Sequence, residues 1–315
     1  MSNKLFTESS FDVRPILKWV GGKRELLPEI RKYYRDIQFE KYIEPFFGGG
    51  AVYFDILRTF GEHHKEKAII NDVNEDLINM YRDVKALPKE LIKAVREVEA
   101  DYLGELGYGY IRNRFNGIET GRISKEERIA RQEAGLAERE IFMKYQGIER
   151  SAALIVLNRT CFNGLYRVNP KGHFNVPKGN YKNPKILDEG NMLKVSELLP
   201  PLENIRNVQF DEISEIAKGD LVYFDPPYHP LSATSSFVSY SGSFGSEEQV
   251  RLMEYFKQLN DLGIYVLQSN SSAEFIDNIY STFQVEKVYC RRNINSKASQ
   301  RGKIPENLIL GSLFK

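Results

Sequence analysis

Short apolar runs alternate with amphipathic stretches near both ends of the chain. Lys41-Tyr42-Ile43-Glu44-Pro45-Phe46 reads as a strand that passes into Phe47-Gly48-Gly49-Gly50 and then into a helical stretch, Ala51 to Phe60. A second strand, Ala68-Ile69-Ile70-Asn71, ends in Asp72. Asn74 then reads as an N-cap ahead of Glu75 and Asp76, whose charges suit the positive end of a helix reaching about Lys85. Strand, helix, strand, helix with short joins predicts a parallel α/β sheet. The same alternation resumes near Asn207, with strands predicted at Val208-Gln209-Phe210, Leu221-Val222-Tyr223-Phe224, Ile264-Tyr265-Val266-Leu267, Phe283 to Tyr289 and Leu308 to Leu310. Glu247 to Leu262 has the period of an amphipathic helix.

Between these parts the pattern changes. Residues 88–157 are helical and charged, with Ser124-Lys125-Glu126-Glu127 in the form of a capping box and Ala152 to Leu157 as an apolar run. Ile118 to Gln146 reads as one or two extra charged helices on a solvated surface. From Asn158 to Tyr181 the helical period is replaced by glycine, asparagine and proline. That composition predicts loops around a β-hairpin turned by Asn169-Pro170-Lys171-Gly172. The expected layout is a discontinuous α/β domain, residues 1–84 and 190–315, interrupted by a mostly helical segment, residues 85–189.

Composition narrows the class. The 315 residues are 42% hydrophobic and 28% charged, as in an ordinary globular protein. The N-terminus lacks a signal-like apolar core, and no apolar run approaches the roughly 18 residues that span a bilayer, so the expectation is a cytoplasmic protein without a membrane partner. Cys161 and Cys290 are the two cysteines and form neither a disulfide framework nor a zinc spacing. Net charge is +1, but its distribution is uneven. Arg159, Arg167, Lys171, Lys178, Lys182 and Lys185 fall in a stretch without acids, and Arg291, Arg292, Lys297, Arg301 and Lys303 form a second cluster. Two basic patches suit a phosphate backbone, although each alone also fits a solvated surface.

Three segments carry candidate chemistry. Glycines between a strand and a helix let a ligand approach the backbone at a positive helix end, and an acid closing the next strand can bind ribose hydroxyls. Gly48, Gly50 and Asp72 have that order; Tyr53 stands where a dinucleotide fingerprint has its third glycine, which favours a cofactor without a pyrophosphate. Taken alone, the glycines also fit a tight structural turn. Leu17-Lys18-Trp19-Val20-Gly21-Gly22-Lys23 holds the single tryptophan and two lysines; by itself it reads as a surface turn with a core tryptophan rather than as a ligand site. Asp225-Pro226-Pro227-Tyr228 follows a buried strand. A carboxylate, carbonyls stiffened by two prolines and an aromatic face make a receptor for a planar ring bearing an exocyclic amine.

Together with Asn158–Asn169 and Phe174-Asn175-Val176-Pro177, these segments resemble the Dam-type DNA adenine-N6 methyltransferases of the D12 (alpha) class, over nearly the whole chain. The resemblance implies a Rossmann-like α/β methyltransferase sheet with an inserted, mostly helical target-recognition domain containing a β-hairpin. It implies methyl transfer from S-adenosylmethionine to N6 of a flipped-out adenine in double-stranded DNA, within GATC, leaving S-adenosylhomocysteine and using no metal. Trp19, Lys23, Glu44, Phe46, Gly48, Gly50, Asp72 and Asp225 would hold the methyl donor. Asp225, Pro226, Pro227 and Tyr228 would be catalytic. Lys18, Phe162, Asn163, Leu165 and Arg167 would contact DNA, with Arg167 suited to bidentate contact with guanine and Phe162 to filling the gap left by the flipped base.

The expectation is a monomer of prokaryotic or phage type; the sequence leaves open a solitary enzyme or one with a cognate restriction endonuclease as a separately acting partner. Alternatives are an amino-methyltransferase for cytosine N4, RNA or a protein amide, and a catalytically silent DNA-binding paralogue. A nicotinamide-dependent oxidoreductase is disfavoured by the absent third glycine.

Overall fold

The computed structural model describes residues 13–118, 144–231, 244–291 and 303–314. Seven strands are described: β1 (Tyr42–Glu44), β2 (Ile69–Asn71), β3 (Ile205–Arg206), β4 (Leu221–Phe224), β5 (Tyr265–Ser271), β6 (Gln284–Arg291) and β7 (Lys303–Leu310). They form one sheet in the order β3-β2-β1-β4-β5-β7-β6. The first five in that order run parallel, and β7 is antiparallel to both β5 and β6. The fold is therefore α/β and Rossmann-like, with a mostly parallel sheet. The helices described are α1 (Leu27–Tyr34), α2 (Ala51–Phe60), α3 (Glu75–Ala86), α4 (Pro88–Leu103), α5 (Gly107–Asn116), α6 (Gly147–Thr160), α7 (Glu189–Leu198), α8 (Ser246–Asp261) and α9 (Glu274–Ile279). Among the described residues no helix is long and apolar enough to cross a membrane.

Backbone contacts divide the chain into two compact units. One joins Gly22–Val73 to Glu203–Lys315 and contains the whole sheet. Its core packs Ile43, Val222, Phe224, Val266 and Ile309 with Leu252, Phe256 and Leu259 of α8 and with Ile276 and Tyr280. The other joins the segment ending at Gly21 to Asn74–Leu202. Its centre is α6, buried from Ser151 through Asn158: Ala152–Leu157 is apolar all round, and Ser151 and Asn158 are hydrogen-bonded. The division falls at residues 21, 73 and 202, whereas the sequence pattern suggests breaks at 84 and 189. The reason is α3: its buried face (Leu77, Ile78, Met80, Tyr81, Val84) packs against α6 and α7.

Several sequence-level details change. Asn74 caps α3 as expected, its side chain accepting from the Leu77 N–H at 3.0 Å. No strand forms at Val208–Phe210. The ladder ends at Arg206, because the Asn71 side chain takes the next positions: its amide donates to the Val208 carbonyl and its Oδ1 accepts from the Val208 N–H. The expected hairpin has its turn, with the Gly172 N–H bonded to the Asn169 carbonyl, but its arms pair only as isolated bridges, Cys161 with Lys178 and Val168 with Phe174. Pro177 has no N–H, and the turn at Phe162–Gly164 holds Asn163 at φ 55°, so a continuous ladder is interrupted on both arms. The Ser124–Glu127 box, and most of Ile118–Gln146, lie outside the described residues.

In the sheet unit, α1 is fastened to α2 through Asp55, which accepts from the Arg31 guanidinium and the Tyr34 hydroxyl. Arg31 is partly exposed and regains water when its partner is lost, whereas the Tyr34 side chain is buried. The desolvated hydroxyl therefore dominates the effect of substitution. Asp55→Ala is expected to lower unfolding free energy by about 1–3 kcal/mol, measured by urea denaturation; an unchanged midpoint would show that the cluster contributes nothing.

Candidate active site

The order of the sheet reverses between β1 and β4, and ligands of open α/β sheets bind beyond the carboxyl ends of the strands at such a point. Here the β1 end carries the glycine loop and the β4 end carries Asp225. The parallel neighbours β2 and β5 add Asp72 and Ser269 at the same edge.

The loop after β1 is held in shape by its backbone. The Phe47 N–H donates to the Asn71 carbonyl and the Gly50 N–H to the Phe47 carbonyl, each at 2.8 Å. Gly48 and Gly50 have φ of 49° and 69°, a region that favours glycine. A Cβ on Gly50 would also lie 2.6 Å from the Phe47 ring. Asp72 accepts from the Gly48 N–H at 3.0 Å, tying the end of β2 to the loop. Phe46 stacks on Phe210, with ring centroids 5.5 Å apart. Glu44 is buried and accepts from the Tyr42 hydroxyl at 2.8 Å; burial holds its carboxyl well above the usual carboxylate range.

Asp225 is held from several elements. The Lys23 ammonium, in the turn ahead of α1, lies 2.6 Å from Asp225 Oδ1 and is itself buried. Ser269 donates to the same oxygen at 3.1 Å, and the Ser269 and Tyr223 hydroxyls are hydrogen-bonded at 2.8 Å. Burial raises the Asp225 carboxyl above its ordinary range; Lys23 and Ser269 oppose that rise, while Glu306 adds to it. Lys23 also lies 4.8 Å from the centre of the Tyr228 ring. The Tyr228 hydroxyl donates to Glu306 at 2.8 Å. The Pro227 carbonyl accepts from the buried Gln249 side chain at 2.8 Å, and Gln249 accepts from the buried Asn270 amide at 2.9 Å. Among the described residues none donates to the Pro226 carbonyl.

Ser269, Gln249, Asn270 and Glu306 have no separate signal in the sequence. Ser269 and Asn270 close a strand that is longer than its apolar run, and Glu306 precedes the apolar residues that mark the last strand.

The expected DNA-contact residues belong to the other unit. The Asn158 side chain accepts from the Lys18 N–H and donates to the Lys18 and Gly164 carbonyls, fixing the two segments together. Phe162 is 51% exposed, unusual for a phenylalanine and notable beside the exposed Asn163 and Arg167. Leu165 is partly buried. Arg167 Nε donates to Asn175 Oδ1 at 2.7 Å. Trp19 packs on Tyr166, with centroids 5.6 Å apart. Arg159 leaves the expected basic surface: it is partly buried and donates to the Pro15 carbonyl. The cluster Arg291–Lys303 falls largely outside the described residues. Cys161 is buried, and burial pushes its thiol up to about 11, a poor setting for a nucleophile.

A sheet edge with a nucleoside-type glycine loop beside a D-P-P-Y carboxylate defines the class of amino-methyltransferases. A family model described as D12 class N6 adenine-specific DNA methyltransferase matches residues 19–294, and the chain belongs to that family. It is 39% identical to the Type II methyltransferase M1.LlaDCHI of Lactococcus lactis subsp. cremoris, an alignment covering 97% of this chain and 98% of that protein. It is 38% identical to the Type II methyltransferase M.MjaIII of Methanocaldococcus jannaschii, over 92% and 96% of the two chains. The DNA adenine methylase of Escherichia coli is 33% identical, over 94% of this chain and 95% of its own. The family implies S-adenosylmethionine as methyl donor. The chemistry of the edge fits it: a glycine turn at the end of β1 with the Asp72 and Asp225 carboxylates at the ends of β2 and β4.

Lys23 is the cation that offsets Asp225's burial. In Lys23→Met the Asp225 carboxyl is therefore expected to titrate at higher pH than in the parent, observed by carbon-detected NMR of the labelled side chain. An unmoved or lowered midpoint would mean that the ion pair does not set its charge.

Proposed function

We propose that the chain methylates N6 of an adenine extruded from double-stranded DNA within GATC, with Asp225-Pro226-Pro227-Tyr228 as the catalytic segment. The observation that carries this reading is Asp225 itself, a carboxylate held at the switch point of the sheet between Lys23 and Ser269. The Asp225 carboxylate and the Pro226 carbonyl accept the two N–H bonds of the amine, since the Pro227 carbonyl is engaged by Gln249. That pairing turns the nitrogen lone pair out of conjugation with the ring and toward the reacting carbon. The bound donor supplies a methyl group activated by a positively charged sulfur. When bound, the donor would release that methyl carbon with the electron pair of the broken sulfur–carbon bond staying on sulfur; the methylated nitrogen would then carry one proton too many, and Asp225 is its acceptor on the way to solvent. Tyr228 stacks on the base, using the ring face away from Lys23.

The donor is held by Lys23, Phe46, Gly48, Gly50 and Asp72. The target is read by the unit that carries Lys18, Phe162, Asn163, Leu165 and Arg167. Phe162 occupies the space vacated by the adenine, a use that fits its exposure. Arg167 reads a guanine edge, its guanidinium already oriented by Asn175. The Type II names of two relatives favour a restriction endonuclease as a separately acting partner.

Two experiments test this reading. In Asp225→Ala, modification of adenine in GATC is expected to vanish when treated DNA is sequenced with a base-modification readout. Near-normal modification would remove the catalytic assignment, whereas parent-enzyme modification confined to another sequence would remove GATC alone. Arg167→Ala is expected to lose about 1–3 kcal/mol of discrimination at one guanine, measured as relative methylation of single-substitution sites; an unchanged preference would reject that contact.

A further inference from the structure

Glu306 has no part in the chemistry described so far, and its position is unusual for a carboxylate. It lies on β7, the antiparallel strand inserted between β5 and β6, opposite Ser271 and Val288. It is 8% exposed and, with the buried Asn307, stands just ahead of the apolar end of the strand, Leu308, Ile309 and Leu310. A buried acid in a strand is unfavourable unless it is bonded. One of its bonds is to Tyr228, whose hydroxyl donates to Glu306 Oε2 at 2.8 Å. Tyr228 remains a donor, because burial and the Asp225 and Glu306 charges hold its phenol well above the ordinary range.

We propose that Glu306 is a positioning residue for methyl transfer, holding the Tyr228 hydroxyl so that the ring keeps a fixed plane beside Asp225. The inference rests on the reading of Asp225–Tyr228 as the target-amine site. A tyrosine ring turns about its side-chain bonds, and a stacking face directs an amine only while its plane is fixed. The loop backbone is fixed separately, through Gln249 and the Pro227 carbonyl. Glu306 takes the hydroxyl at the distal end of the ring, where the Ser269 hydroxyl also lies close. Its carboxylate also belongs to the group of charges around Asp225: Lys23 from the turn before α1, Glu44 from β1, Tyr223 from β4, Tyr228 from the loop after β4 and Glu306 from β7, with the Ser269 hydroxyl from β5. Of these, Lys23 favours the Asp225 carboxylate and Glu306 disfavours it.

The test is single-turnover methyl transfer to a GATC duplex at saturating S-adenosylmethionine and DNA, followed across pH. The variants are Glu306→Gln, Glu306→Leu, Tyr228→Phe and the Tyr228→Phe/Glu306→Leu double variant. Glu306→Leu is expected to lower the rate about tenfold, the effect of losing a hydrogen bond to a charged acceptor. The double variant is expected to be no slower than the slower of its two parents. Glu306→Gln keeps an acceptor, so its plateau rate should stay within roughly threefold of the parent's. Its acid limb should move to lower pH, because removing a negative charge makes Asp225 easier to ionise. Additive losses in the double variant, or a Glu306→Gln profile superimposable on the parent's, would overturn the proposal. Glu306→Gln keeps the test decisive if Glu306→Leu fails to fold. Asp225→Ala in the same assay separates the two readings: if it is inactive while the Glu306 variants behave as the parent, only this inference fails; if it is active, the site reading fails.

Discussion

The sheet unit is organised around the difficulty of keeping one carboxylate, Asp225, at the end of a strand whose four residues are all buried. Such a group ionises readily only when a cation or a set of donors replaces the water it lacks. Lys23 and Ser269 do so from different elements, one ahead of α1 and one at the end of β5. The length of β5 follows from this need. Its apolar stretch ends near Leu267, yet pairing continues through Ser271, bringing Ser269 alongside Asp225. A β5 that stopped with its hydrophobic residues would leave the carboxylate one donor short.

The same constraint explains why so many neighbours of the D-P-P-Y segment are polar and yet buried. Gln249, Ser269, Asn270 and Glu306 are each less than a tenth exposed, and each bonds to the segment or to a residue that does. Prolines at 226 and 227 cannot donate, so the loop cannot hold itself in place by backbone pairing. Its shape has to be imposed through its carbonyl and its aromatic hydroxyl. Low dielectric makes a fully bonded network rigid and a partly bonded one costly, which favours a single loop geometry.

The fold was legible in the sequence wherever one local rule decided the outcome. Ala51–Phe60 is a helix over the stretch read from its pattern, because Gly50 and Gly61 bound it. Asn74 caps α3 through the side-chain bond its chemistry predicts. Leu221–Phe224 is a strand because a short apolar run meets two prolines. Reading failed where a distant side chain substitutes for the backbone. Val208–Phe210 has strand composition, but Asn71 captures its hydrogen bonds. Arg159 counts as a surface charge in the sequence, yet the fold points it at the Pro15 carbonyl. In the candidate site, the glycines, Asp72 and Asp225 were visible because their chemistry sits in short motifs. Glu306 was not, since its meaning depends on an antiparallel strand arriving beside β5 from some forty residues further along the chain.

That arrival bears on how this sheet differs from one that is parallel throughout. A parallel strand next to β5 would present its carboxyl end, and therefore a loop, at the edge where Asp225 lies. An antiparallel β7 instead brings the start of a strand to that edge, with side chains fixed in register against Ser271, Asn270 and Ser269. A residue held in a ladder on both sides has less freedom than one in a loop, because its backbone is bonded to β5 and to β6. Glu306 thus reaches the Tyr228 hydroxyl from a rigid support, while the glycine loop at the end of β1 is held by its own backbone, the Phe47 N–H bonded to Asn71 and the Gly48 N–H to Asp72. The edge divides its work accordingly: ladder-borne side chains hold the D-P-P-Y segment, and backbone bonds hold the glycine loop.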